Sequence, residues 1–419
     1  MLSFIHAADI HLDSPLRGLE RYEGAPVDAI RNASRRALEN LVDYSISEAI
    51  PLLVISGDVY DGEWKDYQTG LFFAKQMVRL RDAGTRVVMI HGNHDAQSII
   101  SKKLHLPDNV RVLSSRKPES FDIGELGVTV HGQSFPKQAV TENIVRNYPP
   151  AIPGRFNIGL LHTALGGAEG HANYAPCTLH DLKSMGYQYW ALGHVHDYKE
   201  LNAEPPVLFC GTLQGRHIHE TGAKGCVRVD VDESGEVSHS FIPLDVMRWA
   251  QVELDATDAA NSDEICERLG DMLLPEIDNA EDRLLAVRVF ITGTCPAHAE
   301  LMRDEHALLN ALRAKVMDTA FEQVWLEKVK LKTHAPVDLD ALRDAPTPQG
   351  ALLRTLEAAR EDADQLPELN PDVQNLLDKL KAEGIPVPDI EDPAERAALL
   401  ADVQDLLVPF IASAKESEA

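Results

Sequence analysis

Asp, Asn and His residues recur in five short motifs within the first 200 residues. The motifs are ADIH, GDVYD, GNHD, GLLH and GHVH, and each one follows or ends a short apolar run. Their candidate side chains are Asp9, His11, Asp58, Asp61, Asn93, His94, His162, His194 and His196. A single DxH or GHxH motif is more often structural than functional. Five motifs of these residue types in this order predict a metal site.

The spacing within the motifs predicts where the side chains lie. Asp9 and His11 are two positions apart, as are His194 and His196. In an extended chain, residues two apart leave the same side of the strand. Sites in open α/β sheets are assembled at the carboxyl ends of the strands. We therefore expect the motifs to meet at one end of a sheet.

The residue types narrow the choice of metal. Imidazole and carboxylate ligands with one neutral amide and no thiolate favour manganese or iron, and less selectively zinc. The predicted ligands are Asp9, His11, Asp58, Asn93, His162, His194 and His196. Seven ligands are too many for one ion. With one bridging carboxylate they fit two ions about 3.5–4 Å apart, an arrangement suited to phosphoryl displacement.

The elements that carry the motifs alternate between strand and helix. Amphipathic runs such as DAIRNASRRALENLVDYSISEA separate apolar runs such as PLLVISGD up to about residue 92. This alternation predicts parallel strands joined by helical crossovers. Shorter and closer strands after residue 110 predict a mixed sheet or two packed sheets, with a helix at TLHDLKSMG. We expect an α/β domain over residues 1–245, with central β-sheets flanked by helices.

The pattern changes near residue 246. Strand, helix, strand, helix and strand are predicted at RWAQVELD, SDEICERLGDMLLPEI, RLLAVRVFITG, HAELMRDEHALLNALRAKVMD and QVWLEKVKLKT. This content predicts a small α+β cap domain over residues 246–335. Residues 336–419 are predicted to be helical, with prolines between the helices.

The negative charge of the chain is unevenly distributed. The 419 residues carry a net charge of −26, and residues 246–419, with 36 acidic and 17 basic side chains, account for −19 of it. Residues 1–245 carry the remaining −7, part of which belongs to predicted metal ligands. An acidic chain normally argues against a nucleic-acid partner. Here the acidity lies mostly outside the domain that carries the motifs, so a phosphate-bearing substrate is not excluded.

Composition also bears on the cellular compartment. No apolar run reaches the ~18 residues that a membrane span needs, and the first residues lack the basic start of a signal peptide. The five cysteines are odd in number, scattered, and never spaced as CxxC. This usage predicts a reducing environment and no zinc–thiolate site. We expect a cytoplasmic protein without a membrane partner.

The ordered motifs DxH, GDxxD, GNHD, H and GHxH resemble those of the calcineurin-like metallophosphoesterase superfamily over residues 1–245. The resemblance implies that Asp58 bridges two metals. It assigns one metal to Asp9, His11, Asp58 and His196, and the other to Asp58, Asn93, His162 and His194. It further implies that His94 faces the leaving group, as a proton donor or a cation, and that Asp61 orients His94.

A later segment narrows the resemblance to one branch. The protein Ser/Thr phosphatase motifs GDxVDRG and GNHE do not occur here. GTLQGRHIHETGAKGC, residues 211–226, resembles the YhaO-like branch of the SbcD-type DNA repair nucleases. This branch implies a manganese-dependent DNA nuclease that forms a homodimer and whose C-terminal helices dock on an SbcC-type coiled-coil ATPase. Arg216 and His217 are then candidates for contact with the nucleic-acid backbone, the alternative being a turn with solvated charges.

Two other functions stay open at this point. The same metals would serve a phosphodiesterase or phosphatase for small nucleotides. The chain could also act mainly as a scaffold that recruits an SMC-like ATPase, or its C-terminal helices could simply pack on the chain itself. The sequence leaves open the choice between endonuclease and exonuclease and the identity of the native metal.

Overall fold

The computed structural model describes most of the chain. It covers residues 2–14, 26–61, 67–97, 104–166, 174–201, 203–336, 339–361 and 392–400, with single positions 375, 377, 379, 380 and 403. The strands are β1 Leu2–Ala7, β2 Leu52–Ser56, β3 Arg86–Ile90, β4 Val110–Val112, β5 Glu119–Ile123, β6 Val128–Gly132, β7 Phe156–His162, β8 Tyr189–Gly193, β9 Lys199–Glu200, β10 Val207–Phe209, β11 Gly225–Val231, β12 Val237–Pro243, β13 Met247–Asp255, β14 Leu284–Thr294 and β15 Val324–His334. The helices are α1 Val27–Ser47, α2 Tyr67–Asp82, α3 Asn93–Gln97, α4 Leu179–Lys183, α5 Ser262–Ala280, α6 His298–Arg303, α7 Glu305–Ala320, α8 Leu339–Asp344 and α9 Pro348–Glu361.

Two compact units make up the chain. Unit 1 comprises residues 1–252, 270–289 and 313–329, and unit 2 comprises residues 253–269, 290–312 and 330–419. Unit 1 contains both large sheets. The boundaries expected from the sequence, at residues 245/246 and 335/336, stay predictions.

The first large sheet has the strand order β12-β11-β1-β2-β3-β4. Strands β1 to β4 are parallel, and β11 joins antiparallel to β1. Helices α1 and α2 make the crossovers from β1 to β2 and from β2 to β3. Helix α1 buries Ala33, Ala37 and Leu41, which lie four residues apart on one face. The predicted parallel strands with helical crossovers are confirmed.

The second large sheet has the order β5-β6-β7-β8-β10-β9, with β6, β7, β8 and β10 parallel. Strand β5 was not predicted, because its sequence ESFDI contains two acidic residues and is largely not buried. Antiparallel pairing with β6 accounts for it. Such pairing depends on residues elsewhere in the chain, which a local pattern does not reveal.

The two large sheets pack face to face over a continuous apolar core. Phe4 and Val54 of the first sheet share this core with Ile158 and Tyr189 of the second. The Phe4 and Tyr189 rings meet edge to face, with ring centres 5.2 Å apart. The α/β class with central sheets flanked by helices is confirmed, and of the two predicted arrangements the structure has two packed sheets.

Strands β13, β14 and β15 form a third sheet in that order. The sequence predicted one helix through HAELMRDEHALLNALRAKVMD, but the structure has two, α6 and α7, divided at Asp304. Asp304 leaves the helical conformation (φ −141°, ψ 73°), and its carboxylate accepts a hydrogen bond from Ala307 N at 2.9 Å. An Asp that caps a new helix in this way competes with continuation of the old one.

The C-terminal region predicted to be helical lies largely outside the described residues. Helices α8 and α9 are described, as is a helical stretch at 393–400. Within unit 2, Leu356 and Ala359 of α9 pack against Leu400. In the part of the chain that is described, no helix is both long and apolar enough to cross a membrane.

A tight contact between β7 and β8 gives a test of the packing. A Cβ atom added at Gly159 would lie 2.5 Å from Cζ3 of Trp190, a buried side chain whose indole N–H donates to Leu182 O. We expect Gly159→Ala to lower the free energy of unfolding by about 1–3 kcal/mol, because the indole has no room to move. Urea unfolding followed by tryptophan fluorescence measures the change.

Gly124→Ala is the matched control for that substitution. A Cβ atom there would meet its nearest neighbours at 3.7 Å, an ordinary contact distance, and Gly124 is exposed. We expect a change within about 0.5 kcal/mol. Equal unfolding midpoints for the two variants would contradict the close packing of β7 on Trp190.

Candidate metal centre

Backbone hydrogen bonds hold the segments after β1 and β2 together. The Asp9 N–H donates to Gly57 O at 3.0 Å, and the His11 N–H donates to Asp58 O at 3.1 Å. Because β1 and β2 are parallel neighbours, both segments leave the same edge of the sheet. The register between Asp9, His11 and Asp58 is therefore fixed by main-chain contacts.

Four predicted ligands have backbone in the left-handed region. The φ angles are 49° at Asp9, 43° at His11, 53° at Asp58 and 99° at His194. This region costs a residue with a side chain of order 1–3 kcal/mol, and such strain persists where surrounding contacts enforce it, often at functional sites. Four strained residues among seven predicted ligands indicate that the site holds its side chains in place at a cost in stability.

A glycine precedes three of the predicted ligands, and the packing explains each one. A Cβ atom at Gly57 would lie 2.7 Å from His162 Nδ1, and one at Gly92 would collide with the Asp58 carboxylate. One at Gly193 would collide with a backbone carbonyl at the end of β2. The glycines in the GD, GN and GH motifs thus allow strand ends to approach each other without a side chain between them.

Three of the predicted ligands bring donor atoms to one point. His11 Nε2 lies 3.3 Å from His196 Nε2, and Asp9 Oδ1 lies 4.0 Å and 3.8 Å from these two nitrogens. Asp9 Oδ2 accepts a hydrogen bond from His194 N at 2.8 Å. Oδ1 is buried and, among the described residues, accepts no hydrogen bond. A buried carboxylate oxygen left in this way beside two imidazoles suits a bound cation.

A second group of donors surrounds His162. Its Nδ1–H donates to Ser56 O at 2.9 Å, so in the neutral ring Nε2 carries a lone pair. Nε2 nevertheless lies 2.9 Å from Asn93 Oδ1 and 3.3 Å from Asp58 Oδ2. Three electron-rich atoms this close need a proton or a metal cation between them. The donor set of carboxylate, amide oxygen and imidazole fits a divalent metal.

The two groups adjoin. Donor atoms of Asp9, Asp58 and His162 lie within 4.8 Å of one another, as do those of Asp9, His11 and His196. The His194 ring is next to that of His162, with ring centres 5.2 Å apart. The structure therefore brings together all seven residues that the sequence singled out as ligands, from the ends of five strands in two sheets.

The pKa values of these groups are shifted because the groups are buried and lie close to one another. Burial raises the pKa of Asp9 to about 6. Burial alone would lower the pKa of His162, but the carboxylates of Asp58 and Asp9 outweigh it and raise that pKa to about 9. Burial would also raise the pKa of Asp58, yet the neighbouring histidines hold it well below its usual range. The carboxylates that favour a proton on His162 also attract metal cations, which compete for the same lone pair.

His94 differs from the seven in its exposure. Its side chain is 37% exposed, whereas those of His11 and His162 are fully buried. Its Nδ1 pairs with Asp61 Oδ1 at 2.9 Å, and this hydrogen bond raises the pKa of the imidazole. Asp61 also accepts a hydrogen bond from Ser14 Oγ at 2.6 Å. One His94 nitrogen also lies within reach of donor atoms of His11 and Asp58, so distance alone does not distinguish a ligand from a proton donor.

The buried carboxylate of Asp95 braces the turn after β3. Its carboxylate accepts hydrogen bonds from the backbone N–H groups of Val59, Tyr60 and Gly92, at 2.9–3.2 Å. The side chain is fully buried. These contacts hold the GD and GNHD segments next to each other.

Arg216 and His217 lie beside His196 but are engaged within the chain. Arg216 Nη2 donates to Glu220 Oε1 at 3.0 Å, and His217 Nε2 lies 3.6 Å from the same oxygen. The Arg216 side chain is 17% exposed and that of His217 is 53% exposed. The structure thus places both near the predicted metal ligands, and contact with a substrate stays a prediction for both.

The sequence did not identify Glu220 as a functional candidate. Its Oε1 lies 2.7 Å from His196 Nδ1, and the residue is 4% exposed. Burial would raise the pKa of Glu220, but hydrogen bonds from His196 and Arg216 and the charge of Arg216 keep it well below its usual range. One signal was present: Glu220 is the single acidic residue in the segment 211–226.

Two family models match the chain in succession. Residues 2–198 match the calcineurin-like phosphoesterase model, and residues 249–334 match the model for the middle domain of metallophosphoesterase YhaO. The first match contains every predicted metal ligand. The segment with Arg216, His217 and Glu220 lies between the two matches.

Three known proteins are each similar to more than half of this chain. The chain is 34% identical over 299 residues to a Bacillus subtilis (strain 168) protein described as uncharacterized metallophosphoesterase YhaO, covering 70% of this chain and 72% of that protein. Identity is 27% to the DNA double-strand break repair protein Mre11 of Methanopyrus kandleri, covering 59% of this chain and 58% of that one. The identity is 21% to a subunit of the nuclease SbcCD of Staphylococcus epidermidis, covering 64% of this chain and 75% of that one. Since the chain matches both family models and is 34% identical to the B. subtilis protein over 72% of that protein's length, it belongs to the calcineurin-like metallophosphoesterases of the YhaO type.

Proposed function

We propose that this metallophosphoesterase is a nuclease that hydrolyses DNA phosphodiester bonds with two divalent metal ions. The observation that carries the proposal is the convergence of seven donor side chains, in which the His162 lone pair faces the oxygens of Asn93 and Asp58. Manganese is the metal we propose, with iron and zinc as alternatives for the same donors.

We assign each metal four ligands. One would be held by Asp9, His11, Asp58 and His196, and the other by Asp58, Asn93, His162 and His194. The contacts that support this division are His11 with His196 on one side and His162 with Asn93 on the other. Asp58 lies in both groups because its carboxylate is close to His162 and shares a donor cluster with His11.

When bound, such a pair of ions supplies an activated water and neutralises charge on the phosphodiester. The chain's own part in the reaction falls to His94 and Asp61. Asp61 fixes His94 through Nδ1, which leaves Nε2–H for the departing sugar oxygen. The hydrogen bond to Asp61 raises the pKa of His94 and so favours the protonated ring, and the partial exposure of His94 gives a substrate access to it.

The proposed substrate class rests on the relatives and on charge. The M. kandleri relative is named a DNA double-strand break repair protein, and the S. epidermidis relative is named as part of a nuclease. In this chain residues 1–245 carry only −7 of the net charge, and Arg216 lies beside His196. We propose that Arg216 and His217 contact the DNA backbone, with Arg216 exchanging part of its contact with Glu220 for a phosphate.

A partner protein is the last part of the proposal. The relative named as part of the nuclease SbcCD supports the proposal that this chain works with an SbcC-type ATPase. We further propose, from the family resemblance, that this ATPase has coiled-coil arms and that the chain forms a homodimer. The contact of Leu356 and Ala359 with Leu400 shows that parts of the C-terminal region pack on each other. We propose that the C-terminal region, residues 336–419, docks on the ATPase.

Removal of the metals or of the bridging carboxylate tests the reaction class. We expect Mn²⁺-dependent cleavage of linear duplex, hairpin or single-stranded DNA, which EDTA abolishes and fresh Mn²⁺ restores. Asp58→Asn should lose both metals and at least about 10³-fold in rate, since both ions depend on this carboxylate. Metal content by mass spectrometry and cleavage on gels give the two readouts.

Asp43→Asn is the control for Asp58→Asn, because Asp43 is exposed and its carboxylate pairs with Arg79 on the surface. It should keep the metal content and rate of the wild type. Cyclic nucleotides are assayed beside the DNA substrates. Hydrolysis of the cyclic nucleotides with no DNA cleavage would replace the nuclease proposal with the small-nucleotide phosphodiesterase.

His94→Ala separates a proton donor from a metal ligand. We expect cleavage to slow by about 10²- to 10⁴-fold, the usual contribution of general acid catalysis, with two metals still bound. His180→Ala is the control, since His180 is exposed on α4. Loss of a metal in His94→Ala would make His94 a ligand, and an unchanged rate would remove its role altogether.

Deletion of residues 336–419 tests the docking region. Co-purification with a coiled-coil SbcC-type ATPase should be lost, because the deletion removes the proposed contact surface. Mn²⁺-dependent cleavage of short DNA serves as the folding control for the truncated chain. ATPase binding at full strength by the truncated chain would show that docking lies elsewhere.

If instead full-length Asp58→Asn supports every function of the complex, the scaffold role becomes the main one.

A further inference from the structure

His196 Nδ1 has two neighbours with opposite hydrogen-bonding requirements. Glu220 Oε1 lies at 2.7 Å and Arg216 Nη2 at 3.2 Å. An ionised carboxylate only accepts a hydrogen bond, so it requires a proton on Nδ1. A guanidinium only donates, so it requires a lone pair there. A neutral imidazole has one ring proton, which is on either Nδ1 or Nε2. Either position satisfies only one of the two neighbours of Nδ1.

The presence or absence of a proton on Nδ1 determines whether Nε2 carries a lone pair or a proton. His196 Nε2 lies 3.3 Å from His11 Nε2 and 3.8 Å from Asp9 Oδ1, within the predicted metal cluster. With the proton on Nδ1, Nε2 offers its lone pair to this cluster. With the proton on Nε2, the ring presents an N–H that cannot bind a cation.

We infer that Glu220 is a positioning residue that makes His196 competent to bind metal. It accepts a hydrogen bond from Nδ1–H, and it pairs with the Arg216 guanidinium, which would otherwise donate to the same nitrogen. This inference rests on the proposed metal centre. It assigns Glu220 two effects that a carboxylate acting only as a brace would not have. The residue acts through His196 and does not itself touch substrate.

The contacts of Glu220 with Arg216 support the second effect. The carboxylate accepts hydrogen bonds from Arg216 Nη2 at 3.0 Å and from the Arg216 backbone N–H at 2.7 Å. Glu220 is 4% exposed, so water competes little for its oxygens. The guanidinium is therefore occupied by the carboxylate while it lies beside the imidazole. Without the Glu220 acceptor, Arg216 Nη2, which lies 3.2 Å from His196 Nδ1, is placed to donate to a lone pair on that nitrogen.

The loop that carries Glu220 is fixed from outside the metal cluster. Trp249 Nε1 donates to Gly215 O at 3.0 Å, and Gln251 Nε2 donates to Ile218 O at 3.1 Å. Trp249 and Gln251 belong to β13, at the start of the region matched by the YhaO middle-domain model. The loop is thereby held on both sides of Arg216, so the Glu220 carboxylate stays at one place relative to His196.

Substitution of Glu220 tests the inference in the full-length protein. In Glu220→Ala we expect the affinity for one of the two Mn²⁺ ions to fall about 10- to 100-fold, the range for partners of ligating histidines. In the metal-free protein, ¹⁵N-histidine NMR should show His196 changing from the Nδ1–H to the Nε2–H tautomer. Glu220→Gln, which keeps the shape and one acceptor oxygen, should lie between wild type and Glu220→Ala in both measurements.

A double variant distinguishes positioning from simple loss of structure. Glu220→Ala/Arg216→Ala removes the donor that would capture Nδ1, so it should bind Mn²⁺ more tightly than Glu220→Ala alone. Loss of the Arg216 charge by itself also favours a cation, so a merely structural role for Glu220 predicts that Arg216→Ala gains as much Mn²⁺ affinity over the wild type as the double variant gains over Glu220→Ala. Glu327→Ala is the control, because it removes an equally buried carboxylate, paired with Arg288, and should leave the His196 tautomer and Mn²⁺ affinity unchanged.

Two results would overturn the inference: an Nδ1–H tautomer that persists in Glu220→Ala, or a double variant that gains no more Mn²⁺ affinity over Glu220→Ala than Arg216→Ala gains over the wild type. The NMR measurement needs neither metal nor substrate. If the wild-type protein bound fewer than two ions or cleaved no DNA, the proposed function would fail, while the tautomer change would still decide the role of Glu220.

Discussion

Two buried carboxylates set the main constraint on this molecule. Asp9 and Asp58 are both almost completely buried, and donor atoms of both lie within 4.8 Å of the His162 ring nitrogen. Like charges in such a place are stable only when cations or protons lie between them. Here imidazoles surround the carboxylates, and the raised pKa of about 9 for His162 shows the strength of the attraction. The strained backbone at Asp9 and Asp58 and the glycines next to Asp58, Gly57 and Gly92, accompany this crowding.

The fold satisfies this constraint because strand ends from both large sheets lie next to each other and supply the donors. The segments after β1, β2 and β3 supply Asp9, His11, Asp58 and Asn93, and the ends of β7 and β8 supply His162, His194 and His196. The sheets meet directly there, since His162 Nδ1 donates to Ser56 O and Ser56 Oγ donates to Ala191 O. No single strand end among these holds enough donors for two metals. The packing of one sheet on the other is therefore part of the site, as is the glycine-permitted approach of the strand ends.

Most of this arrangement can be predicted from the sequence, because it depends on patterns of residues that are close together in the chain. Apolar runs that end in Asp, Asn or His predict strand ends with ligands, and parallel strands bring such ends together. The parts that were missed depend on partners far along the chain. Strand β5 exists because β6 pairs with it, and the role of Glu220 follows from a contact with His196, 24 positions away. The end of α6 at Asp304 is an intermediate case, since an Asp within a helical pattern is compatible with both continuation and a new cap.

The acidic composition is compatible with a phosphate substrate once charges are counted at the site. Two divalent ions beside Asp9 and Asp58 would leave about +2 there, and a bound ion is often the largest charge in its surroundings. Arg216 contributes little more while it is paired with Glu220, because the two charges cancel within the loop. The sign of the field that a phosphodiester meets therefore depends on the metals more than on the side chains. In such a protein, substrate affinity and metal occupancy should rise and fall together, and residues that control ligation, such as Glu220, also control the attraction of the substrate.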